Sequence, residues 1–288
     1  MRKADAHTAR TAVDEGFVVY EHRRGWAALN LREVWDYREL LWFLTWRDVS
    51  IRYKQAVLGV AWAVIQPVLT MLVFTLVFNR GLGVKSPDPA LPYAVFSMSG
   101  LLIWNYFNAG MSRAANCLVG GSHLITKVYF PRLVLPISGV TAGIVDFLIA
   151  FVVLLVLMGA LGIAPVWTIV FVPLFVLLTM LTALALGLWL SALNVLYRDF
   201  QYVVPIFLSL LMFVSPVIYP IDQLPEGWIQ TLFSLNPMTG AIGGFRWALL
   251  GQAWPGDYLW IGTAIVLVLL AGGLFFFKRI ERVFADVV

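Results

Sequence analysis

Residues 133–160 read Leu-Val-Leu-Pro-Ile-Ser-Gly-Val-Thr-Ala-Gly-Ile-Val-Asp-Phe-Leu-Ile-Ala-Phe-Val-Val-Leu-Leu-Val-Leu-Met-Gly-Ala and contain one ionisable side chain, Asp146. A helix needs about 20 mostly apolar residues to cross the hydrocarbon core of a bilayer. This stretch is long enough, and it has no polar face to present to water. It therefore predicts a membrane-spanning helix.

Five further segments have a similar length and apolar character. The composition agrees, because 61% of the residues are apolar and only 12% are charged, against about 25% charged residues in soluble domains. Prolines inside one segment are compatible with a span when neighbouring groups satisfy the freed carbonyls. The sequence therefore predicts an all-α integral membrane protein with six spans, at about 57–79, 92–112, 133–160, 166–193, 202–220 and 259–277.

The basic residues indicate how these spans are oriented. Seventeen of the 20 Lys and Arg residues fall in the segments that would share one side, which are 1–56, 113–132, 194–201 and 278–288. Basic loops resist translocation, so both chain ends are expected in the cytoplasm. We divide the chain into a cytoplasmic segment (1–30), an interface helix (31–56), a transmembrane domain (57–277) and a cytoplasmic tail (278–288). The asymmetry explains the net charge of +4 without a nucleic-acid partner.

The predicted interface helix is amphipathic. Its aromatic side includes Trp35, Trp42, Trp46 and Tyr53, while charged residues such as Arg47 gather on another side. A helix of this kind just before a span is typical of one that lies in the membrane interface. It is either an anchor for the first span or a collar at the cytoplasmic mouth of a pore.

Two predicted cytoplasmic loops could contact a partner protein. The first is either a plain connection between spans two and three or a protruding docking helix, and the second joins spans four and five. The candidate contact residues are His123, Lys127, Tyr129, Arg132, Tyr197, Arg198 and Asp199.

Asp146 is the ionisable side chain that the sequence places deep inside a span. A charge there costs about 2.5–3.5 kcal/mol or more, so it should face protein or water, or be protonated. It could pin neighbouring helices, line a transport path or relay protons. The relay is the weakest of the three, because no second ionisable group is expected beside it.

Nine aromatic and polar side chains on spans one, two and five are candidates to line a channel. Aromatic rings offer apolar faces to sugars, while amides and hydroxyls meet sugar hydroxyls. The candidates are Trp62, Gln66, Asn105, Tyr106, Asn108, Phe207, Phe213, Ser215 and Tyr219.

Residues 221–256 form an apolar stretch that is broken by Pro and Gly residues. This pattern indicates re-entrant or interfacial half-helices at the outer face, where they could cover an exit.

Several catalytic and binding motifs are absent from the sequence. It contains no Gly-x-x-x-x-Gly-Lys-Ser/Thr loop, so we expect no bound nucleotide in this chain. The single cysteine and three dispersed histidines predict neither a disulfide nor a metal site. If ATP and Mg²⁺ energise transport, another chain must bind them.

Several motifs resemble the type 2 (ABC-2) exporter permeases for polysaccharides, which include Wzm-like O-antigen exporters and teichoic-acid exporters. Arg47-Asp-Val-Ser-Ile-Arg-Tyr-Lys-Gln-Ala-Val-Leu-Gly-Val-Ala-Trp-Ala-Val-Ile-Gln-Pro67 is similar to the entry of their first span. The resemblance covers about residues 30–280. It continues at Lys127-Val-Tyr-Phe-Pro-Arg132, Leu135-Pro136, Asn194-Val-Leu-Tyr-Arg-Asp199, Ser215-Pro-Val-Ile-Tyr219 and Leu235-Asn-Pro237.

This resemblance implies a homodimer in the bacterial cytoplasmic membrane that works with two copies of a separate, Wzt-like ABC ATPase. The first cytoplasmic loop would couple to that ATPase, and the interface helix would form a collar where an undecaprenyl-linked polysaccharide enters. Spans one and five would line the channel, and the outer broken segment would gate it. The sequence leaves two alternatives open, an exporter of a small hydrophobic compound and an ion-coupled carrier that uses Asp146.

Overall fold

The computed structural model describes residues 31–54, 61–121, 130–197, 199–223 and 227–281. Within these ranges the chain forms helices and turns and contains no strand. The predicted terminal segment 1–30, most of the tail, and His123, Lys127, Tyr129 and Arg198 lie outside the described residues.

The described helices pack against one another in one bundle, in which short helices separate the long ones along the chain. They are α1 (Leu31–Asp36), α2 (Arg38–Lys54), α3 (Ala61–Phe74, continuing as a π-helix over Thr75–Gly81), α4 (Tyr93–Gly120), α5 (Val134–Thr141), α6 (Gly143–Ala160), α7 (Val172–Leu196), α8 (Phe200–Phe213), α9 (Trp228–Leu235), α10 (Pro237–Leu250) and α11 (Asp257–Ile280).

Four helical stretches among the described residues are long and apolar enough to cross a membrane: Ala61–Gly81, Val134–Ala160, Trp167–Leu196 and Asp257–Ile280. They confirm the predicted spans one, three, four and six as apolar helices. Helix α4 has 28 residues, about 42 Å at the α-helical rise, but it carries Asn105 and Asn108 and is more polar. The all-helical membrane fold is therefore confirmed.

The predicted fifth span, at 202–220, is wrong in its second half. Helix α8 ends at Phe213 after 14 residues, about 21 Å. Pro216 has no backbone N–H and disfavours a helical conformation at Ser215, so the helix cannot continue there. The chain turns instead, with a backbone hydrogen bond of 2.7 Å from Val217 to the Ser215 carbonyl.

The interface helix is also interrupted. Tyr37 breaks the predicted single helix into α1 and α2. Helix α2 packs against α5, with Leu44 and Val49 buried, whereas Trp42 is 70% exposed. Its aromatic side is thus free for lipid or another chain, as the amphipathic pattern predicts.

Helix α4 occupies the centre of the bundle. It forms its most extensive packing with α7 and also contacts α3, α5, α6 and α10. Phe96, Trp104 and Phe107 on α4 are almost fully buried. A Cβ at Gly187 would stand 2.5 Å from the Cβ of Ala114, so glycine permits the close approach of α7 to α4.

The broken segment after α8 forms two short helices, as its pattern predicts. Asn236 ends α9 and caps α10, accepting a hydrogen bond of 3.0 Å from the Met238 backbone N–H. Pro237 occupies the first turn of α10, where its missing donor costs nothing. Helix α10 is mostly buried and packs against α7 and α11, so it belongs to the bundle. Its position at the outer face stays a prediction.

Candidate functional site

A cavity of about 360 Å³ opens between α2, α3, α4 and α6. Its volume lies within the range of small-molecule sites. Aromatic rings, amides and charged groups share its wall. They include Arg52, Tyr53, Trp62, Gln66, Asn105, Tyr106, Asn108 and Asp146.

Five of the nine predicted channel residues meet in this cavity. Trp62 and Gln66 come from the first turns of α3, and Asn105, Tyr106 and Asn108 come from the middle of α4. Trp62 and Gln66 are four residues apart and Asn105 and Asn108 are three apart, so each pair lies on one face of its helix. Their role in a channel stays a prediction, but the structure shows that they share one site.

The other four channel candidates lie elsewhere. Phe207 and Phe213 are exposed on α8, and the hydroxyl of half-buried Tyr219 donates to the Phe213 carbonyl. Ser215 is fully buried in the described chain, and its channel-lining role stays a prediction. Its hydroxyl donates to the Leu211 carbonyl at 2.7 Å and accepts from Asn236 at 2.8 Å. Its hydrogen bonds are therefore used within the fold.

Asp146 has ionisable partners, contrary to the prediction. It forms an ion pair with Arg52 of α2 and accepts a hydrogen bond from the Tyr53 hydroxyl. Arg113 of α4 lies farther away, with 3.9 Å between its Nη1 and Asp146 Oδ2. The carboxylate thus joins the interface helix to the bundle, as a structural pin would.

Arg113 was predicted to begin a cytoplasmic loop, but it lies inside α4. Its Nε donates to the Gly139 carbonyl at 2.7 Å. Among the described residues, its buried Nη2 has no hydrogen-bond partner. A Cβ at Gly143 would collide with that Nη2 and stand 3.1 Å from the Tyr106 ring. Glycine at position 143 therefore makes room for both side chains.

The interface helix places its aromatic residues away from the core. Trp35 and Trp46 are more than half exposed, and the Trp42 and Trp46 rings stack with centroids 6.4 Å apart. Arg47 pairs with neighbouring Asp48 at 2.9 Å. Tyr53 alone of the predicted aromatic set reaches the cavity.

Three predicted coupling residues are described. Tyr197 and Asp199 are exposed beside the end of α7. Arg132 is bound to the end of α11, where its side chain donates to the Glu281 carbonyl and its backbone N–H to the Glu281 carboxylate at 3.4 Å. Its docking role stays a prediction, and the structure adds a bond to the last described turn.

Arg246 was not among the predicted site residues, because the predicted topology places it in an outer loop. Arg246 is 3% exposed on α10 and donates to the Pro216, Val217 and Phe96 carbonyls at 2.7, 2.8 and 3.0 Å. It also donates to the Ser99 hydroxyl at 3.3 Å. The one available signal was an arginine between Gly-Gly-Phe and Trp in an apolar stretch.

The described residues contain no group of His, Cys, Asp and Glu that could hold a metal ion. The cavity wall offers charged groups, hydrogen-bonding groups and aromatic rings.

Comparison with known proteins identifies the family. The profile described as "ABC-2 type transporter" matches residues 39–250. The chain belongs to the ABC-2 type transporter family. As a member, it is a transport component and a multi-pass protein of the cytoplasmic membrane.

Curated ABC-2 relatives are similar over nearly their whole length. An "O-antigen export system permease protein RfbA" of Myxococcus xanthus is 33% identical over 89% of this chain and 98% of its own. A protein of the same name from Klebsiella pneumoniae is 28% identical over 86% and 95%. The "Polysialic acid transport protein KpsM" of Escherichia coli is 26% identical over 82% and 91%.

Proposed function

We propose that this chain is the permease subunit of an ABC exporter that moves a lipid-linked polysaccharide across the cytoplasmic membrane. The observation that carries the proposal is the near full-length similarity to permeases named for O-antigen export. A relative named for polysialic acid transport points to the same class of cargo.

The energy would come from ATP and Mg²⁺ bound by a separate ABC ATPase, because this chain has no phosphate-binding loop of its own. We propose a homodimer with two ATPase subunits. The loop that contains Arg132 would transmit the ATPase motion. Its attachment to Glu281 would carry the motion to α11 as well.

The proposed topology has six spans, which are the four long apolar helices, α4 and the short α8. Both chain ends face the cytoplasm, in accordance with the distribution of Lys and Arg. The exposed aromatic side of α1 and α2 then lies at the inner membrane interface, and α9 with α10 stands towards the outer face.

The cavity offers surfaces that suit a passing sugar chain. Trp62 and Tyr53 present rings, while Gln66, Asn105 and Asn108 present amides. An amide both donates and accepts hydrogen bonds, so successive sugars of different configuration find partners. This supports a polysaccharide over a small hydrophobic compound. Asp146 already pairs with Arg52, which gives the ion-coupled alternative no free carboxylate.

Depletion in the native cell tests this function. The gene for this chain is placed under a repressible promoter, and surface polysaccharide and its lipid-linked intermediate are measured. We expect the surface polymer to fall at least tenfold while the intermediate accumulates inside. Re-expression of the chain is the control and should reverse both changes. Normal surface polymer after complete depletion would disprove the proposal.

A further inference from the structure

A second cavity lies at one end of the bundle, where the loops that follow α3, α6 and α10 meet. Its volume is about 490 Å³, which is within the range of small-molecule sites. Most of its wall is apolar, with one carboxylate and one amide. The wall includes Pro87, Leu91, Ile163, Leu250, Asp88 and Gln252.

Two of the three loops are held against each other. The Val166 N–H donates to the Leu249 carbonyl at 3.4 Å, and the Thr168 hydroxyl donates to the Ala248 carbonyl at 3.0 Å. Gly251 has a φ of 68°, and a Cβ there would stand 2.9 Å from the Val166 side chain. Glycine therefore lets the chain turn close to the neighbouring loop. A wall that is ordered in advance lowers the cost of binding.

The carboxylate in the wall has no cationic partner among the described residues. One oxygen of Asp88 accepts a hydrogen bond of 2.8 Å from the Ala90 N–H, which holds the side chain beside its own loop. The ion pairs of the described chain use other carboxylates. An ionised carboxylate accepts several hydrogen bonds at once. Asp88 therefore keeps accepting capacity for a ligand.

Gln252 supplies a group of the opposite kind. Its side chain is half-buried in the wall, and within the described part of the chain its Nε2 has no hydrogen-bond partner. This nitrogen is packed against the protein, but the terminal torsion of glutamine has a broad energy minimum, so the amide can turn towards a ligand. Because buried donors are normally paired, an occupant with an acceptor would satisfy it.

An acceptor, a donor and an apolar surface together restrict the chemistry of the ligand. A simple cation would pair with Asp88 but leave the Gln252 donor unused, and Asp88 would repel an anion. A sugar ring carries hydroxyls, which both donate and accept hydrogen bonds, and its C–H groups can cover the apolar part of the wall. A neutral, polyhydroxylated ring therefore matches all three features.

We propose that this cavity binds a neutral sugar unit, with Asp88 accepting hydrogen bonds from its hydroxyls and the Gln252 amide donating to one of them. The site is separate from the cavity between α2, α3, α4 and α6. In the proposed topology it lies at the outer end of the bundle. The sugar would then belong to the exported polymer after its passage, and this assignment rests on the proposed function.

Binding of oligosaccharides to the full-length chain tests this site. The chain is reconstituted in lipid nanodiscs, and saturation-transfer NMR detects binding of neutral oligosaccharides released by mild acid from the surface polysaccharide of the native cell. We expect saturation transfer to the sugar, and no displacement by an excess of butylamine or acetate. Absence of transfer, or displacement by either charged probe, would overturn the proposal.

Substitutions of the two polar residues assign their roles. Asp88→Ala and Gln252→Ala should each weaken oligosaccharide binding at least fivefold, whereas Asp88→Asn keeps an acceptor oxygen and should weaken it less. A loss in Asp88→Asn as large as in Asp88→Ala would assign the carboxylate to a cation and overturn the contact with hydroxyls. The matched controls are Asp257→Ala and Gln201→Ala, at exposed positions that do not line the cavity. Both should bind as the wild type does.

Filling the cavity gives a test that does not depend on hydrogen bonds. Ala253 is an exposed residue of the wall, so Ala253→Trp should keep the unfolding temperature of the wild type while its ring occupies the space for the sugar. We expect oligosaccharide binding to be lost. Wild-type affinity in both Ala253→Trp and Gln252→Ala would reject the site.

The binding assay contains no ATPase and measures no export, so its outcome is independent of the depletion experiment. Lost surface polymer after depletion, combined with absent oligosaccharide binding, would reject this site and leave the proposed function standing. Oligosaccharide binding that Ala253→Trp abolishes, combined with normal surface polymer after depletion, would support the site and reject the proposed function.

Discussion

Two arginine environments in this bundle, one buried and one half-buried, are built in opposite ways. Arg246 is surrounded by carbonyl oxygens of α4 and of the turn after α8, and its Cζ lies 3.7 Å from the centre of the Phe96 ring. Arg113 makes one backbone hydrogen bond, shares Asp146 with Arg52 and lies against Gly143, one of the residues that line the cavity. The first environment is closed and satisfied, and the second retains unused donors.

The difference separates an arginine whose donors are all used within the fold from one that keeps an unpaired donor. A guanidinium that is fully hydrogen-bonded to backbone carbonyls has nothing left for a ligand, and it holds together segments that have no helix hydrogen bonds of their own. A guanidinium with a spare N–H at a cavity can change partners. The following predictions test this contrast, beginning with the largest expected effect.

Replacing Arg246 by methionine should be the most destabilising change. The side chain would keep most of its volume but leave the Pro216 and Val217 carbonyls without this donor in a buried site, while the Phe96 carbonyl keeps the Ser99 hydroxyl. An unsatisfied buried polar group costs about 1–3 kcal/mol, so we expect the free energy of unfolding to fall by at least about 3 kcal/mol. Thermal unfolding in detergent measures it. The control is Arg80→Met at an exposed position, and equal stability of the two variants would contradict a structural role.

Gly100→Ala should cause the next largest loss of stability. Its Cβ would stand 2.5 Å from Arg246 Nη2 and 2.7 Å from the Val217 carbonyl oxygen, and overpacking of this kind costs about 1–3 kcal/mol. The matched control is Gly159→Ala, a helical site with nothing within 4 Å. The control should be neutral or slightly stabilising in the same unfolding assay. An unchanged stability of Gly100→Ala would show that the packing around Arg246 has room for a methyl group.

Breaking the Arg52–Asp146 ion pair should cause a smaller loss of stability, and a second substitution should recover part of it. Asp146→Asn leaves two arginines short of a counter-charge, but both partners of the pair are about 31% exposed, so solvent limits the cost to about 1–2 kcal/mol. Combining it with Arg52→Gln should restore part of the loss. A double-mutant cycle measures the coupling, which we expect near 1 kcal/mol. Strict additivity would mean that the pair does not join α2 to α6.

Tyr53→Phe should have the smallest effect of the series. It removes one hydrogen bond to Asp146 and should cost about 0.5–1.5 kcal/mol. Tyr202→Phe, at a 76% exposed position on α8, is the control and should unfold as the wild type does. A loss comparable to that of Arg246→Met would show that the two environments are energetically alike.

Sequence reasoning succeeded where the signal is a long run of one kind of residue. Four of the six predicted spans are apolar helices of nearly the predicted extent, and polar residues of spans one and two meet at one cavity because helical periodicity is local. It failed at the second half of span five, where Pro216 ends the helix. It also failed for Arg113 and Arg246, because charge alone suggests a loop.

The sequence by itself determined that this protein lives in a bilayer, how its long helices are spaced and which family it resembles. These properties depend on composition and on short-range periodicity, which the order of residues states directly. Only the tertiary structure decided that Arg52, Tyr53, Arg113 and Asp146 meet, and that Arg246 is buried. Both depend on contacts between residues tens to hundreds of positions apart, and packing of whole helices brings such residues together.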